Sequence, residues 1–234
     1  MSRLLLLELR LFTASPVRLA FSVAAPLAPI ALRLAGVLDE VLVEPLFIVA
    51  YQFLAMTLLP VALGLLRGGW RLAWFAGPPD SVAGLSLAYL GLFALTSAPP
   101  VAAFQALALL LTSTLPAAQP PTLILYTLSI GILHQSLALF LQLRLRGSAA
   151  GWAAVLTYQA LLITFASSML AGAPAESYAP LMPLFPALLA IAPQAQPETL
   201  YVAAPLCIAF SLLFTYLAAV GVVRPARESL GPPI

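Results

Sequence analysis

Long runs without charge, divided by short charged segments, set the pattern of this chain. Residues 45–66 give 22 consecutive positions without a formal charge, and residues 81–143 give 63 more. A transmembrane helix needs about 20 mostly apolar residues to cross a hydrocarbon core about 30 Å thick. The first run therefore predicts one span and the second at least two, with the polar and aromatic segment 67–80 between them facing water. Continued along the chain, the pattern predicts six spans over residues 19–38, 45–66, 81–114, 121–143, 149–170 and 200–223. The first contains Pro26, Pro29 and Arg33, and prolines at depth are tolerated where neighbouring helices satisfy the freed carbonyls, so this helix is expected to face the interior. The third is too long for one straight helix, and Thr96-Ser97-Ala98-Pro99-Pro100 predicts a break or bend. Pro116, Pro120 and Pro121 divide it from the fourth.

Three stretches do not fit a span. In residues 1–18, Arg3 and Arg10 are seven apart and share a helical face, while Glu8 and Arg10 interrupt the continuous apolar core of a secretory signal. This stretch reads as an amphipathic interfacial helix or as the lead-in to the first span. Residues 172–199 hold six prolines, Glu176 and Glu198 around a 12-residue apolar core, 181–192. That core is too short to cross, so it is expected to be re-entrant or interfacial. Residues 225–234 form a short tail expected to be mobile. The predicted fold is all-α: one polytopic membrane domain over residues 1–234, with six transmembrane helices.

Composition fixes the class and charge fixes the orientation. The chain is 62% hydrophobic and 8% charged with a mean hydropathy of +1.05, against about 25% charged residues in a water-soluble domain. Arg3, Arg10, Arg18, Arg67, Arg71, Arg144, Arg146, Arg224 and Arg227 fall on one side of the six spans, and the opposite loops carry Asp39, Glu40 and Glu44 but no Arg. By the positive-inside rule both termini and segment 67–80 are cytoplasmic, and the chain is expected in the cell (inner or plasma) membrane.

Candidate chemistry is sparse. All ten basic residues are Arg, and a Walker A loop needs Lys to reach the β- and γ-phosphates, so a standard P-loop ATPase site is excluded, as is Schiff-base catalysis. No Gly-x-Ser-x-Gly or His-Glu-x-x-His motif occurs, and the single Cys207 reads as a small buried hydrophobe. No catalytic residue, resident cofactor, metal or nucleic-acid partner is expected. Three residues inside spans are candidates for a cargo pathway: Arg33, Gln52 and His134. Each also has a structural alternative. Arg33 lies near the end of its span and can snorkel or pair with Asp39 or Glu40. His134, beside Gln135, fits a buried hydrogen-bonded role, and a proton relay through it lacks an intramembrane carboxylate partner. Gln52, Gln105, Gln135 and Gln159 fit hydrogen bonding between helices, worth about 0.6 kcal/mol each.

An amphipathic stretch over residues 4–12 leads through Ser15-Pro16-Val17-Arg18 into a proline-bearing first span, a short segment ending in Pro78-Pro79-Asp80-Ser81 follows the second, and a proline-rich outer segment separates the fifth and sixth. This arrangement resembles the membrane subunit of ABC-2-type exporters, including the haem-exporter-like permeases. The resemblance implies a permease that couples ATP hydrolysis by a separate ATP-binding subunit to cargo movement, with a second permease copy in the complex and ATP-Mg held by the partner. It also implies that the segment after the second span is a coupling helix. The positions carried over are Arg67, Trp70, Arg71, Leu72, Trp74 and Phe75, with Gly77 and Pro78 ending the helix. Their chemistry agrees, since Trp70 and Trp74 share a face at i, i+4 and aromatics with Arg suit a protein interface. A tryptophan anchor at the membrane surface is the other reading of the same residues. Two further functional classes stay open: a non-transporting anchor or assembly scaffold, and a secondary carrier, for which inverted repeats or intramembrane carboxylates would be needed.

Overall fold

The computed structural model describes residues 16–65, 82–111, 121–145, 148–170 and 197–229. Segments 67–80 and 181–192, the N-terminal residues 1–15 and the tail from 230 lie outside them. Among the described residues the regular structure is helical, with no strand. The helices are α1 (Pro16–Ala24), α2 (Ala28–Leu34), α3 (Glu40–Leu65), α4 (Val82–Leu110), α5 (Pro121–Arg144), α6 (Ser148–Leu170) and α7 (Pro197–Ser229). Among the described residues three stretches are long and apolar enough to cross a membrane: α4, α5, and Val202–Gly221 within α7. Their outward faces carry large apolar side chains, among them Leu87, Leu95, Leu109, Leu110, Val202 and Leu206. Such a continuous apolar exterior suits lipid and not water.

Prolines shape the first segment. α1 and α2 are joined by a single 3₁₀ turn, Ala25–Leu27, and both Pro26 and Pro29 fall in the first turn of a new helical piece. A missing N–H costs nothing there, so both prolines are accommodated without strain on the helical bonding. α2 then stops at Gly36, whose φ of 71° is the left-handed conformation that glycine adopts without strain. Its N–H bonds the Arg33 carbonyl at 2.9 Å and the Val37 N–H bonds the Leu32 carbonyl at 3.0 Å, the paired bonds of a Schellman cap. The cap turns the chain into α3, and the corner is held from outside by Arg33, which reaches Glu40 at 3.6 Å and donates to the Leu38 carbonyl at 3.4 Å.

Of the break or bend expected at residues 96–100, no break occurs. α4 continues through Pro99 and Pro100, although these prolines leave the Leu95 and Thr96 carbonyls without their usual helical donors. Neighbouring helices bond to the same turn, at Ser97. Tyr51 of α3 donates to the Ser97 carbonyl at 3.2 Å, and Gln135 of α5 donates to the Ser97 hydroxyl at 2.7 Å.

The axis of the bundle is α5, which packs against α3, α4, α6 and α7. Leu133, His134, Gln135 and Ser136 are all buried, and four consecutive residues at 100° per step cover the whole circumference of a helix. A helix buried all round is a central one. The main core joins Phe47, Tyr51, Phe104, Tyr126, Ile130 and Cys207, with the Phe47 and Phe104 rings stacked at 4.1 Å. A second cluster sets Leu85, Tyr89, Leu92 and Phe93 of α4 against Leu139 of α5 and Ala218 and Ala219 of α7. Ser86 and Thr215 hydrogen-bond beside it at 2.8 Å.

At Gly131 the side chains of Tyr51 and Ser97 come too close to α5 to leave room for a Cβ. A Cβ built on it would lie 2.0 Å from the Tyr51 hydroxyl and 2.8 Å from Ser97 Oγ, and Tyr51 is wedged by its stacking on Phe47 and its bond to α4. Gly131→Ala is expected to destabilise by about 1–3 kcal/mol through overpacking. Gly91→Ala, at an exposed position with open space around it, is expected to be neutral or to stabilise by up to about 1 kcal/mol. Thermal unfolding in one detergent measures both; equal Tm values for the two variants would contradict the packing assigned to Gly131.

Candidate functional site

Polar side chains on the faces of α5 bond to three neighbouring helices. A hydroxyl or amide buried without a partner costs roughly 1–3 kcal/mol, so these groups must find one another or go unsatisfied. Two networks result, on adjacent turns of the same helix.

The first is closed. The Thr96 hydroxyl donates to Gln135 Oε1 at 2.8 Å, and Gln135 Nε2 donates to Ser97 Oγ at 2.7 Å and to the Phe93 carbonyl at 3.5 Å. Both N–H groups and the carbonyl of the amide are thereby used. This network fixes α5 against α4 at the proline pair.

The second centres on His134, which is fully buried. His134 Nδ1 lies 2.8 Å from the Ile130 carbonyl one turn earlier. A carbonyl only accepts, so Nδ1 carries the proton and Nε2 is left as an acceptor. Tyr158 of α6 donates to Nε2 at 2.9 Å, and Gln52 of α3 points its amide nitrogen at the same atom. Gln52 also bonds Tyr158. Three helices meet at one imidazole lone pair, and the backbone bond to Ile130 holds the ring in the tautomer that accepts. The Tyr158 ring packs at a tilt beside the imidazole, with centroids 5.6 Å apart. One turn away along α3, the Phe53 carbonyl accepts from Gln159 Nε2 at 3.0 Å.

Of the residues singled out from sequence, Gln52 and His134 come together. Arg33 is held at the α2–α3 corner by Glu40 and Leu38, one of the two pairings expected for it. Gln135 and Gln159 also bond across helices, as read from sequence. Arg67, Trp70, Arg71, Leu72, Trp74 and Phe75 lie outside the described residues. Sequence reasoning passed over Tyr51, Thr96, Ser97 and Tyr158. A signal for two of them was present, because Tyr51-Gln52 and Tyr158-Gln159 repeat the pattern of His134-Gln135, each an adjacent polar pair within an apolar run.

The second network has groups left over. Gln52 Oε1, Tyr126 Oη and Gln159 Oε1 are buried without a hydrogen-bond partner among the described residues. The arrangement can accept or donate hydrogen bonds but carries no carboxylate to serve as a base for a nucleophile. Among the described residues no group of three or more His, Cys, Asp or Glu is placed to hold a metal ion.

Because Gln52 and Tyr158 share His134, their deletions should be coupled. Gln52→Leu and Tyr158→Phe are each expected to cost about 1 kcal/mol, and the double variant is expected to lose less than the sum by at least about 0.5 kcal/mol. Chemical unfolding of the four proteins in mixed micelles measures the cycle; strict additivity would show that the two side chains do not meet at the imidazole.

Comparison of the chain with protein-family models, with curated proteins and with solved structures finds no match in any of the three.

Proposed function

We propose that this chain is the membrane-spanning permease subunit of an ATP-driven exporter of the ABC-2 type, crossing the bilayer six times with both termini in the cytoplasm. The observation that carries the reading is segment 67–80, which opens on Arg67 and concentrates Trp70, Arg71, Trp74 and Phe75 between the diglycine Gly68-Gly69 and Gly77-Pro78-Pro79. It joins α3, which ends at Leu65, to α4, which begins at Val82. Nine Arg on its side of the chain and none in the opposite loops argue that it faces the cytoplasm. An energy source has to come from outside the chain, since there is no Lys for a Walker A loop. The described part of the bundle interior offers neutral polar groups and no carboxylate with which to draw on an ion gradient.

In this reading a separate ATP-binding subunit seats on Trp70, Trp74 and Phe75, with Arg67 and Arg71 beside them, and a second permease copy completes the pathway. ATP-Mg binds the partner. Hydrolysis there pushes on segment 67–80, and through it on α3 and α4, the helices that carry Gln52, Thr96 and Ser97. The polar junctions along α5 are then the joints at which such a movement would be felt.

Aromatic anchors at the centre of an interface are worth about 2 kcal/mol or more each on truncation. Trp70→Ala combined with Trp74→Ala is therefore expected to abolish co-purification of the ATP-binding subunit at matched membrane yield; undiminished recovery would remove the coupling role. Orientation is tested separately in a Cys207→Ala background. A cysteine placed at Ser177 should react with an impermeant thiol reagent from outside and one at Ser148 should not, and equal labelling of the two would contradict six crossings with cytoplasmic termini.

A further inference from the structure

One imidazole nitrogen ties three helices together, and a single proton reverses its chemistry. His134 Nδ1 lies 2.8 Å from the Ile130 carbonyl, which only accepts, so that nitrogen already carries its hydrogen. The place left for a further proton on the ring is the Nε2 lone pair. That lone pair receives the Tyr158 hydroxyl of α6 at 2.9 Å and the Gln52 amide nitrogen of α3. A proton arriving at Nε2 therefore lands on the atom by which α3 and α6 are held to α5.

The two ties respond differently. A hydroxyl oxygen accepts as well as donates, so Tyr158 turns its O–H aside and takes the new N–H with its ring in place. The Gln52 amide nitrogen only donates, and two donors facing one another repel. Its bond to the imidazole is lost when Nε2 becomes a donor.

Burial adds to this. His134 and Gln52 are fully buried, and an imidazolium at that depth needs a counter-charge or water. The titratable side chains of the surrounding core are Tyr51 on α3, Tyr126 on α5, Tyr158 on α6 and Cys207 on α7. Phenols and thiols are neutral through the acid range, and α4 meets this part of α5 with the hydroxyls of Thr96 and Ser97. The described Arg, Asp and Glu residues stand around the α2–α3 corner or toward the ends of α1, α5 and α7, and α4 and α6 contain none. On α3 the acid nearest Gln52 is Glu44, about 12 Å away along the helix. A charged ring is thus compensated by water, and water reaches it when a helix moves aside. The helix whose tie the proton breaks is α3.

We propose that His134 is a proton-operated latch: uptake of one proton at Nε2 expels the Gln52 amide and parts α3 from α5 over residues 49–56, while the bond to Tyr158 reverses and keeps α6 in place. The proton comes from solvent and adds to the lone pair, and no bond within the ring breaks. The open form binds it as a free imidazole does, at about pH 6.5, whereas the shut form has no place for it. Acidification below about pH 6.5 therefore favours opening, and above it the latch is shut. The latch is a property of this chain alone, so it goes beyond the permease reading and stands or falls without it.

His134 is the one histidine of the chain, so isotope-labelled histidine reports on this ring and no other. The full chain, labelled in this way, is placed in phosphatidylcholine nanodiscs, and the ring nitrogen shifts are followed by NMR from about pH 7.5 to about pH 4.5. Amide hydrogen exchange over residues 49–56 of α3 and 93–97 of α4 is measured at the same pH values, corrected for the intrinsic rate at each. At neutral pH the proton should be on Nδ1 and Nε2 should be bare. As the pH falls from about 7 to about 5, Nε2 should gain its proton and the protection of residues 49–56 should drop in step, by up to about 25-fold for one proton. Residues 93–97, tied to α5 through Gln135 with no titrating group, should keep theirs. His134→Gln offers an acceptor that does not charge, and it should leave residues 49–56 protected at low pH. The wild-type readings decide the matter even if that variant fails to fold. A proton on Nε2 at neutral pH, or a ring that stays neutral to about pH 4.5, would overturn the latch. So would a ring that charges while residues 49–56 stay protected, since Gln52 would then merely turn its carbonyl to the new proton. Equal loss of protection over residues 49–56 and 93–97 would also overturn it, by showing general unfolding in acid.

Discussion

A polar group buried among helices apolar enough to cross a membrane has no water to turn to, and this constraint organises the molecule around α5. Its polar side chains either bend back to their own helix, as Ser129 and Ser136 do toward the carbonyls four residues earlier, or cross to a neighbour, as His134 and Gln135 do. The crossing bonds set which face of α3, α4 and α6 is turned inward. Apolar packing cannot set this alone, because lipid tails solvate Leu as well as a neighbouring helix does. Packing sharpens the fit where small residues allow it, as at Gly131 beneath Tyr51.

The same constraint explains how the prolines are accommodated. Pro26 and Pro29 fall where a helical piece begins, so no donor is missing there. Pro99 and Pro100 fall inside α4, and the turn they disturb is the one that Tyr51 and Gln135 reach from α3 and α5. The chain keeps a continuous helix of 29 residues through both prolines, with Tyr51 and Gln135 bonded to Ser97 just before them. A helix interrupted in its own bonding but held by its neighbours is suited to small adjustments, since bonds between side chains rearrange more readily than a backbone ladder.

Much of the architecture was legible in the uncharged runs: α3 through α7 lie over five of the predicted spans, and α1 with α2 lies over the first with its interruption at the prolines. Arg33 and the glutamines also did what their chemistry required, because a cation near a helix end and an amide in an apolar helix have few alternatives. What could not be read was rotation. In helices that are apolar on every side, no stripe tells which face turns inward, so Tyr51, Thr96, Ser97 and Tyr158 could not be matched with partners. Of the break or bend expected at residues 96–100, no break interrupts α4. Gln52 and His134 were legible as polar groups in apolar surroundings, but their meeting was not, because they are 82 residues apart.

Helix α5 is the axis of the bundle, bonded on several sides, with α3, α4, α6 and α7 arranged around it. Hydrogen–deuterium exchange of the protein in lipid nanodiscs measures this most directly, since backbone amides exchange at rates set by local opening. Residues 126–142 should be the last described segment to exchange, slower than α6, and Gln135→Leu should speed exchange at residues 93–97 of α4 together with those facing them on α5. Exchange of residues 126–142 as fast as that of α6, or a Gln135→Leu variant in which α4 is unaffected, would contradict the central place given to α5 and its bonds.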